Sequence, residues 1–256
     1  MDIDTKGNTR QGSQGGVDHH EEMGQKLTQV ISKGKNQVPE LPYPLVCKPN
    51  EIEPWRVFKI MSEFVEGFEI IKKHGLAVSV FGSARTTFEP HFYKDAEELS
   101  ARLAGAGYSI ITGGSAGIME AANKGAFDAG GTSIGLNIRL DDKQGLNKYV
   151  TESLTFEHFF VRKVMLTFAS EVYIYFPGGF GTLDEFFEIV TLVQTKKIKK
   201  MPIVLYGREY WEPLVAFMKN KMLMEHRAIE ESDLELFFLA DTVDEAFDYI
   251  QKNVVC

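Results

Sequence analysis

From Leu76 to Val254 the sequence repeats one unit: a short apolar run, a turn, then an amphipathic stretch of helical period. The runs "LAVSVFG" (76–82), "YSIITGG" (108–114), "TSIGLNI" (132–138), "VYIYFPGG" (172–179), "MPIVLYG" (201–207) and "LFFLAD" (236–241) read as strands. The stretches 93–107, 116–131, 156–171, 182–198, 210–226 and 243–254 read as helices, and the segment between 138 and 156 as an irregular link. The strands are mostly apolar without strict alternation, which is what burial on both faces of a sheet requires. Strands alternating with helices predict a parallel sheet covered on both sides, in the α/β class. Right-handed crossovers then bring every strand-to-helix turn to one edge. Ligands of such open sheets bind at that edge, where the strand order reverses.

Before the repeat, "PWRVFKIMSEFVEGFEIIKKHG" sets Trp55, Phe58, Met61, Phe64, Val65, Phe68 and Ile71 on one stripe of a helix, with Gly75 as its stop. Residues 1–50 are rich in Gly, Gln, Ser, Asn and Lys, then in Pro around "VPELPYPL". Such a segment has too little apolar surface to offset the entropy of ordering. The expected organisation is therefore a disordered tail and Pro-rich lead over 1–50 and one domain over 51–256 with an N-terminal helix. His19-His20 reads as a solvated pair in that tail, and no metal site is expected.

The net charge of −8 argues against bulk nucleic-acid binding, which needs a basic face. It leaves room for one nucleotide in a local basic pocket. The cysteines, Cys47 and Cys256, lie near the chain ends and form no metal-type pair. A disulfide scaffold is not expected, and a reducing cytoplasm fits. No apolar run approaches the roughly 18 residues of a membrane span. The N-terminus is polar, without a signal-peptide core.

Three turns at the ligand edge carry unusual chemistry: "FGSAR" (81–85), "TGGSAGIME" (112–120) and "PGGFGTLDE" (177–185). Glycine clears side chains so that backbone N–H groups approach a ligand, and a helix N-terminus adds unpaired donors and partial positive charge. One such turn is as easily a tight turn and nothing more. Two of them, each at a strand-to-helix junction, point to a phosphate or another anion. No P-loop Gly-Lys-[Ser/Thr] occurs, and neither glycine turn has dinucleotide spacing. A mononucleotide is the expected ligand. Arg85 is placed to pair with its phosphate, and Met119 to pack under its base, although core packing suits Met119 as well.

Thr182 and Glu185 have capping-box spacing, and Asp184 would complement the helix dipole. Capping alone accounts for these residues. Yet a carboxylate beside a phosphate cradle repels the phosphate, so a second use is expected. Breaking a glycosidic bond builds positive charge on the sugar, which a fixed carboxylate would stabilise. The same carboxylate could orient a water.

As a set, "PGGFGTLDE", "FGSAR", "GGSAGIM" and "RKVM" (162–165) resemble the landmarks of the LOG-like proteins, cytokinin-riboside 5′-monophosphate phosphoribohydrolases. The resemblance spans roughly residues 76–207. It implies a Rossmann-like, doubly wound sheet with helices on both faces, a homodimer or higher assembly, and hydrolysis of a nucleoside 5′-monophosphate to free base and ribose 5-phosphate. It implies Arg162 and Glu185 as catalytic residues and Gly178, Gly179, Gly181 and Thr182 as the phosphate turn. Gly113, Gly114 and Gly117 fall on the second glycine turn and Ser83 on the first strand tip. Lys163, next to Arg162, joins the phosphate-binding candidates; without the resemblance, Arg162 and Lys163 would read as a solvated helix face. Glu157 and His158 read as ordinary polar positions.

The chain departs from the plant-like pattern at Thr112 and Glu120, which stand where glycines are expected, and at "FGSAR". These changes bear on the substrate more than on the reaction. Many similar sequences carry the label "possible lysine decarboxylase", a chemistry that uses pyridoxal phosphate on a lysine. No lysine here has a recognisable cofactor motif around it, and no cofactor is expected. Two other classes stay open: a protein that binds a nucleotide without cleaving it, and an oligomeric scaffold whose turns are structural.

Overall fold

The computed structural model describes residues 54–85, 90–139 and 145–254. Residues 1–50, with His19, His20 and Cys47, lie outside that description, as does Cys256. The first described helix, α1 (Arg56–Ile71), precedes β1 (Ala77–Phe81). The chain then alternates through α2 (Pro90–Gly105), β2 (Ser109–Thr112), α3 (Ile118–Asp128) and β3 (Ser133–Ile138). After β3 come β4 (Glu152–Phe156), α4 (Phe159–Phe168), β5 (Val172–Tyr175), α5 (Phe180–Gln194) and β6 (Ile203–Tyr206). α6 (Arg208–Phe217), β7 (Phe238–Ala240) and α7 (Val243–Asn253) complete the order. None of the described helices is long and apolar enough to cross a membrane.

All seven strands are parallel, in the order β4-β3-β2-β1-β5-β6-β7. The chain winds outward from β1 to β4, returns to the centre, and winds outward again from β5. The strand order therefore reverses between β1 and β5, the place where open α/β sheets bind ligands. This is the Rossmann-like, doubly wound architecture expected from the sequence.

Alternation along each strand divides the core into two layers. Val78, Val80, Ile110, Val172 and Ile174 pack under Leu99 and Leu103 of α2, Ala122 and Ala126 of α3, and Ala246 and Ile250 of α7. Ala77, Phe81, Ile111, Tyr173 and Tyr175 face Ile70 and Ile71 of α1, Val161 and Met165 of α4, Phe186 and Ile189 of α5, and Trp211 of α6. The inner strands β1, β3, β5 and β6 are buried at every position, which is why their sequences are mostly apolar without strict alternation.

Three elements differ from the sequence reading. The segment expected as an irregular link ends in a strand, β4. It lies at the sheet edge, and its residues alternate between exposed and more buried positions, with only Phe156 fully buried. An edge strand packs on one side and shows a weaker apolar signal. The helix expected from 156 starts at Phe159, because Phe156 belongs to β4. The helix expected over 210–226 is α6, with Pro213 inside it, followed by a wider π-helical stretch, Met218–Glu225.

Candidate active site

The C-terminal tips of β1 and β5 are tied together. The Ser83 N–H donates to the Pro177 carbonyl at 3.0 Å, and the Phe176 N–H to the Phe81 carbonyl at 2.9 Å. The Ser83 carbonyl in turn accepts the Ile118 N–H, at the start of α3, at 3.0 Å. Ser83 is buried, and its Oγ accepts the Arg85 N–H at 3.2 Å. One residue thus joins all three of the turns singled out in the sequence.

Close approach at this junction explains two glycines. Gly117 has φ +70°, and a Cβ there would lie 2.3 Å from the Ser83 carbonyl oxygen. A Cβ at Gly178 would lie 2.1 Å from Thr182 Oγ1 and 3.1 Å from Ser83 N. The Gly178 carbonyl accepts the Tyr210 hydroxyl at 2.5 Å, which pins the turn to α6.

Above this junction lies a cavity of about 410 Å³, within the roughly 300–1,000 Å³ of small-molecule sites. Of the residues expected at the site, Ser83, Arg85, Gly113, Met119, Arg162, Gly179, Gly181, Thr182 and Glu185 line it. Gly114, Gly117, Gly178 and Lys163 are not among the lining residues. Gly114, at φ +69°, packs its backbone against Gly135 and Leu146 instead. Lys163 is drawn away by α5: its Nζ lies 2.7 Å from Asp184 and 3.1 Å from Glu188. It ties α4 to α5 and is not placed to hold a phosphate in the cavity.

The capping-box expectation for Thr182 and Glu185 is corrected. α5 begins at Phe180, and Gly179 is its N-cap, with no side-chain cap. Thr182 is therefore inside the first turn, and Glu185 lies in the second turn with its side chain at the cavity. The glycine cap lets the helix start early and leaves the first-turn N–H groups open toward the site, an arrangement suited to an anion.

Glu185 is 5% exposed. Burial raises its carboxyl to about 7, and Arg162 and Lys163 pull in the opposite direction without restoring the ordinary value. Burial likewise lowers the Arg162 guanidinium, against the attraction of Glu185. Arg162 lies over the Phe159 ring, 4.6 Å from its centroid. Its buried Nε finds no hydrogen-bond partner among the described residues. Two opposite charges face one cavity, each made costly by burial. Such paired perturbation is what catalytic sites display.

Phe81, Ile138, Phe159 and Leu166 complete the apolar wall. The sequence reading did not place them there, because apolar residues on strands and helices carry no sign of whether they meet the core or a ligand.

The family model described as "Possible lysine decarboxylase" matches residues 119–250, more than half of the chain. The chain belongs to this family. A cytokinin riboside 5′-monophosphate phosphoribohydrolase of Rhodococcoides fascians is 27% identical over 157 residues, covering 60% of this chain and 76% of that protein. A probable enzyme of the same name from Oryza sativa subsp. japonica is 28% identical over 166 residues, covering 63% and 77%. Among solved structures, the molybdenum cofactor carrier protein of Chlamydomonas reinhardtii shares the fold, with TM-score 0.54 and 23% identity over 69% of this chain and 96% of that one.

The decarboxylase in the family's description would need pyridoxal phosphate on a lysine. Among the described residues, no lysine lines this cavity. Lys163, the nearest by sequence to Arg162, is held in ion pairs with Asp184 and Glu188. The described residues of the cavity do not fit that cofactor.

Proposed function

We propose that this protein hydrolyses the N-glycosidic bond of a nucleoside 5′-monophosphate, AMP or an N6-modified AMP, releasing the free base and ribose 5-phosphate. The observation that carries this reading is that buried Glu185 and half-buried Arg162 line one cavity beside a helix N-terminus with no side-chain cap. The 5′-phosphate is received by the open first turn of α5 and the Gly113 turn. The sugar then lies toward Glu185, whose carboxylate stabilises the positive charge at C1′ as the bond to the base breaks. The bonding electrons leave with the base, assisted by Arg162. Water adds to C1′ and gives up its proton, which the raised carboxyl is suited to accept. The names of the two relatives support the same reading. The compartment proposed is the cytoplasm.

The test is incubation with a panel of nucleoside 5′-monophosphates, scored for ribose 5-phosphate. Release by the wild type and its loss in Arg162→Ala, with the fold retained, supports the hydrolase. Tight binding without release would overturn it in favour of a non-catalytic nucleotide-binding protein.

Binding should depend on the phosphate. Hydrogen bonds to charged groups contribute about 1.5–3 kcal/mol each, so AMP should bind far more tightly than adenosine in calorimetry. Comparable affinity for the two would exclude a phosphate cradle.

We also propose self-association through α1 and α4. Trp55 at the N-cap of α1, Phe58, Met61 and Val65 of α1, and Phe160 and Phe168 of α4 stay at least half exposed. Phe68 meets Phe168 across the two helices, with ring centroids 6.3 Å apart. Patches of this kind mark interfaces more often than free surface. Sedimentation at micromolar concentration should show a dimer or larger species, and a monomer would remove this proposal.

A further inference from the structure

His158 reads from the sequence as an ordinary polar residue, yet it is 7% exposed and bonded on every side. Its Nδ1 lies 2.9 Å from Glu63 Oε1, and its Nε2 accepts from Arg56 Nε at 3.1 Å. Since Arg56 only donates, Nε2 is the acceptor and Nδ1 carries the proton that goes to Glu63. Glu63 accepts more: the His158 N–H at 3.2 Å and the Glu157 N–H at 3.2 Å. Both Glu63 and Arg56 belong to α1, 95 and 102 residues away in sequence.

His158 is also the N-cap of α4. Its carbonyl accepts the N–H groups of Val161 at 3.1 Å and Arg162 at 3.2 Å, the first bonds of that helix. Arg162 is thus one turn beyond a residue clamped through its ring and its backbone. A second close contact reinforces the clamp, since a Cβ at Gly67 would lie 2.4 Å from Met165 Sδ.

A polar cluster of this kind contributes less to stability than apolar packing of the same volume, because its desolvation offsets its attraction. What it does supply is one geometry. We propose that Glu63 and His158, with Arg56 behind them, are positioning residues that hold the start of α4 so that Arg162 points into the cavity. The inference rests on the hydrolase reading for its catalytic consequence. The phosphate cradle stands on the tips of β1, β2 and β5 and does not use this clamp, so turnover and substrate binding should separate.

Glu63→Gln is the test. Glutamine keeps the length but replaces one acceptor oxygen with a donor, so one N–H at the start of α4 loses its partner. The expected kcat is at least about tenfold lower, the loss that small misplacements of a catalytic group produce, with KM for AMP almost unchanged. Amide exchange at Val161 and Arg162 should quicken while the sheet amides keep their protection. In an Arg162→Ala background, Glu63→Gln should have no further effect on kcat. Wild-type kcat in the single variant, additive losses in the double variant, or unchanged exchange at Val161 and Arg162 would each overturn the proposal. Should the wild type release no ribose 5-phosphate from any nucleotide, the hydrolase reading fails by itself, and amide exchange then decides whether the clamp holds α4.

Discussion

Glu185→Gln is expected to yield a protein that is more stable than the wild type and almost inactive. The carboxyl of Glu185 is raised to about 7 by burial, against an ordinary value of about 4.3 in an unfolded chain. Below about pH 4.3 the group is protonated in both states and costs nothing. As pH rises towards 7, the unfolded chain releases the proton and the folded one retains it, so stability falls. Above about pH 7 the folded protein carries a buried carboxylate, at a cost on the order of 3–4 kcal/mol. Glutamine removes that cost. Its melting temperature should exceed that of the wild type at pH 8 and converge with it at pH 4. Turnover should fall at least 100-fold, equivalent to about 2.7 kcal/mol in the barrier. The wild-type kcat/KM should rise with pH through about 7 as the carboxylate forms, and the residual activity of the variant should lack that limb. A glutamine variant that releases ribose 5-phosphate at the wild-type rate would remove Glu185 from the chemistry.

Gly117→Ala is expected to be the most damaging single methyl at the site. Its backbone, φ +70° and ψ −131°, is one that side chains rarely adopt. The added Cβ would meet only backbone: the Ser83 carbonyl oxygen at 2.3 Å and Ala84 C at 2.9 Å. Neither can give without shifting the tip of β1, which is itself bonded to Pro177. Strain at such a position costs about 1–3 kcal/mol before the clash is counted, so a total near ~3 kcal/mol or more is expected. Urea unfolding of the variant should show that loss, and AMP binding should weaken with it as the three turns separate. Gly181→Ala serves as the control for folding, since a Cβ there meets nothing within 4 Å. A Gly117→Ala protein as stable as the Gly181→Ala protein would show that the turns are not locked together.

The two glycine turns show where sequence reading stops. All of their glycines looked alike as donors for a phosphate. In the fold, Gly113, Gly179 and Gly181 line the cavity, while Gly114, Gly117 and Gly178 let backbones and side chains pass close to one another. Glycine is chosen for either purpose, and nothing in the local sequence separates them. The same holds for charge. Arg162 and Lys163 are neighbours on α4, yet one faces the cavity and the other binds Asp184 and Glu188, because successive helical positions point about 100° apart.

By itself the sequence determined the alternation of buried strands and amphipathic helices, and through it a parallel, doubly wound sheet. It also determined that the turns at one edge would be rich in glycine and would carry Ser83, Thr182 and Glu185. These are local properties: a period of burial, and residues fixed a few positions from a strand end. Only the tertiary structure decided that Glu185 is a buried acid and not a cap, that β4 closes the edge, and that Glu63 holds His158 at the start of α4. Each of these depends on groups that are distant in sequence. Burial sets the charge state of Glu185, a single neighbouring strand completes β4, and a helix almost a hundred residues earlier supplies the acceptor for His158. A pattern read along the chain records which residues tend to be inside. It does not record which of them meet, and desolvation and hydrogen bonding act only where they meet.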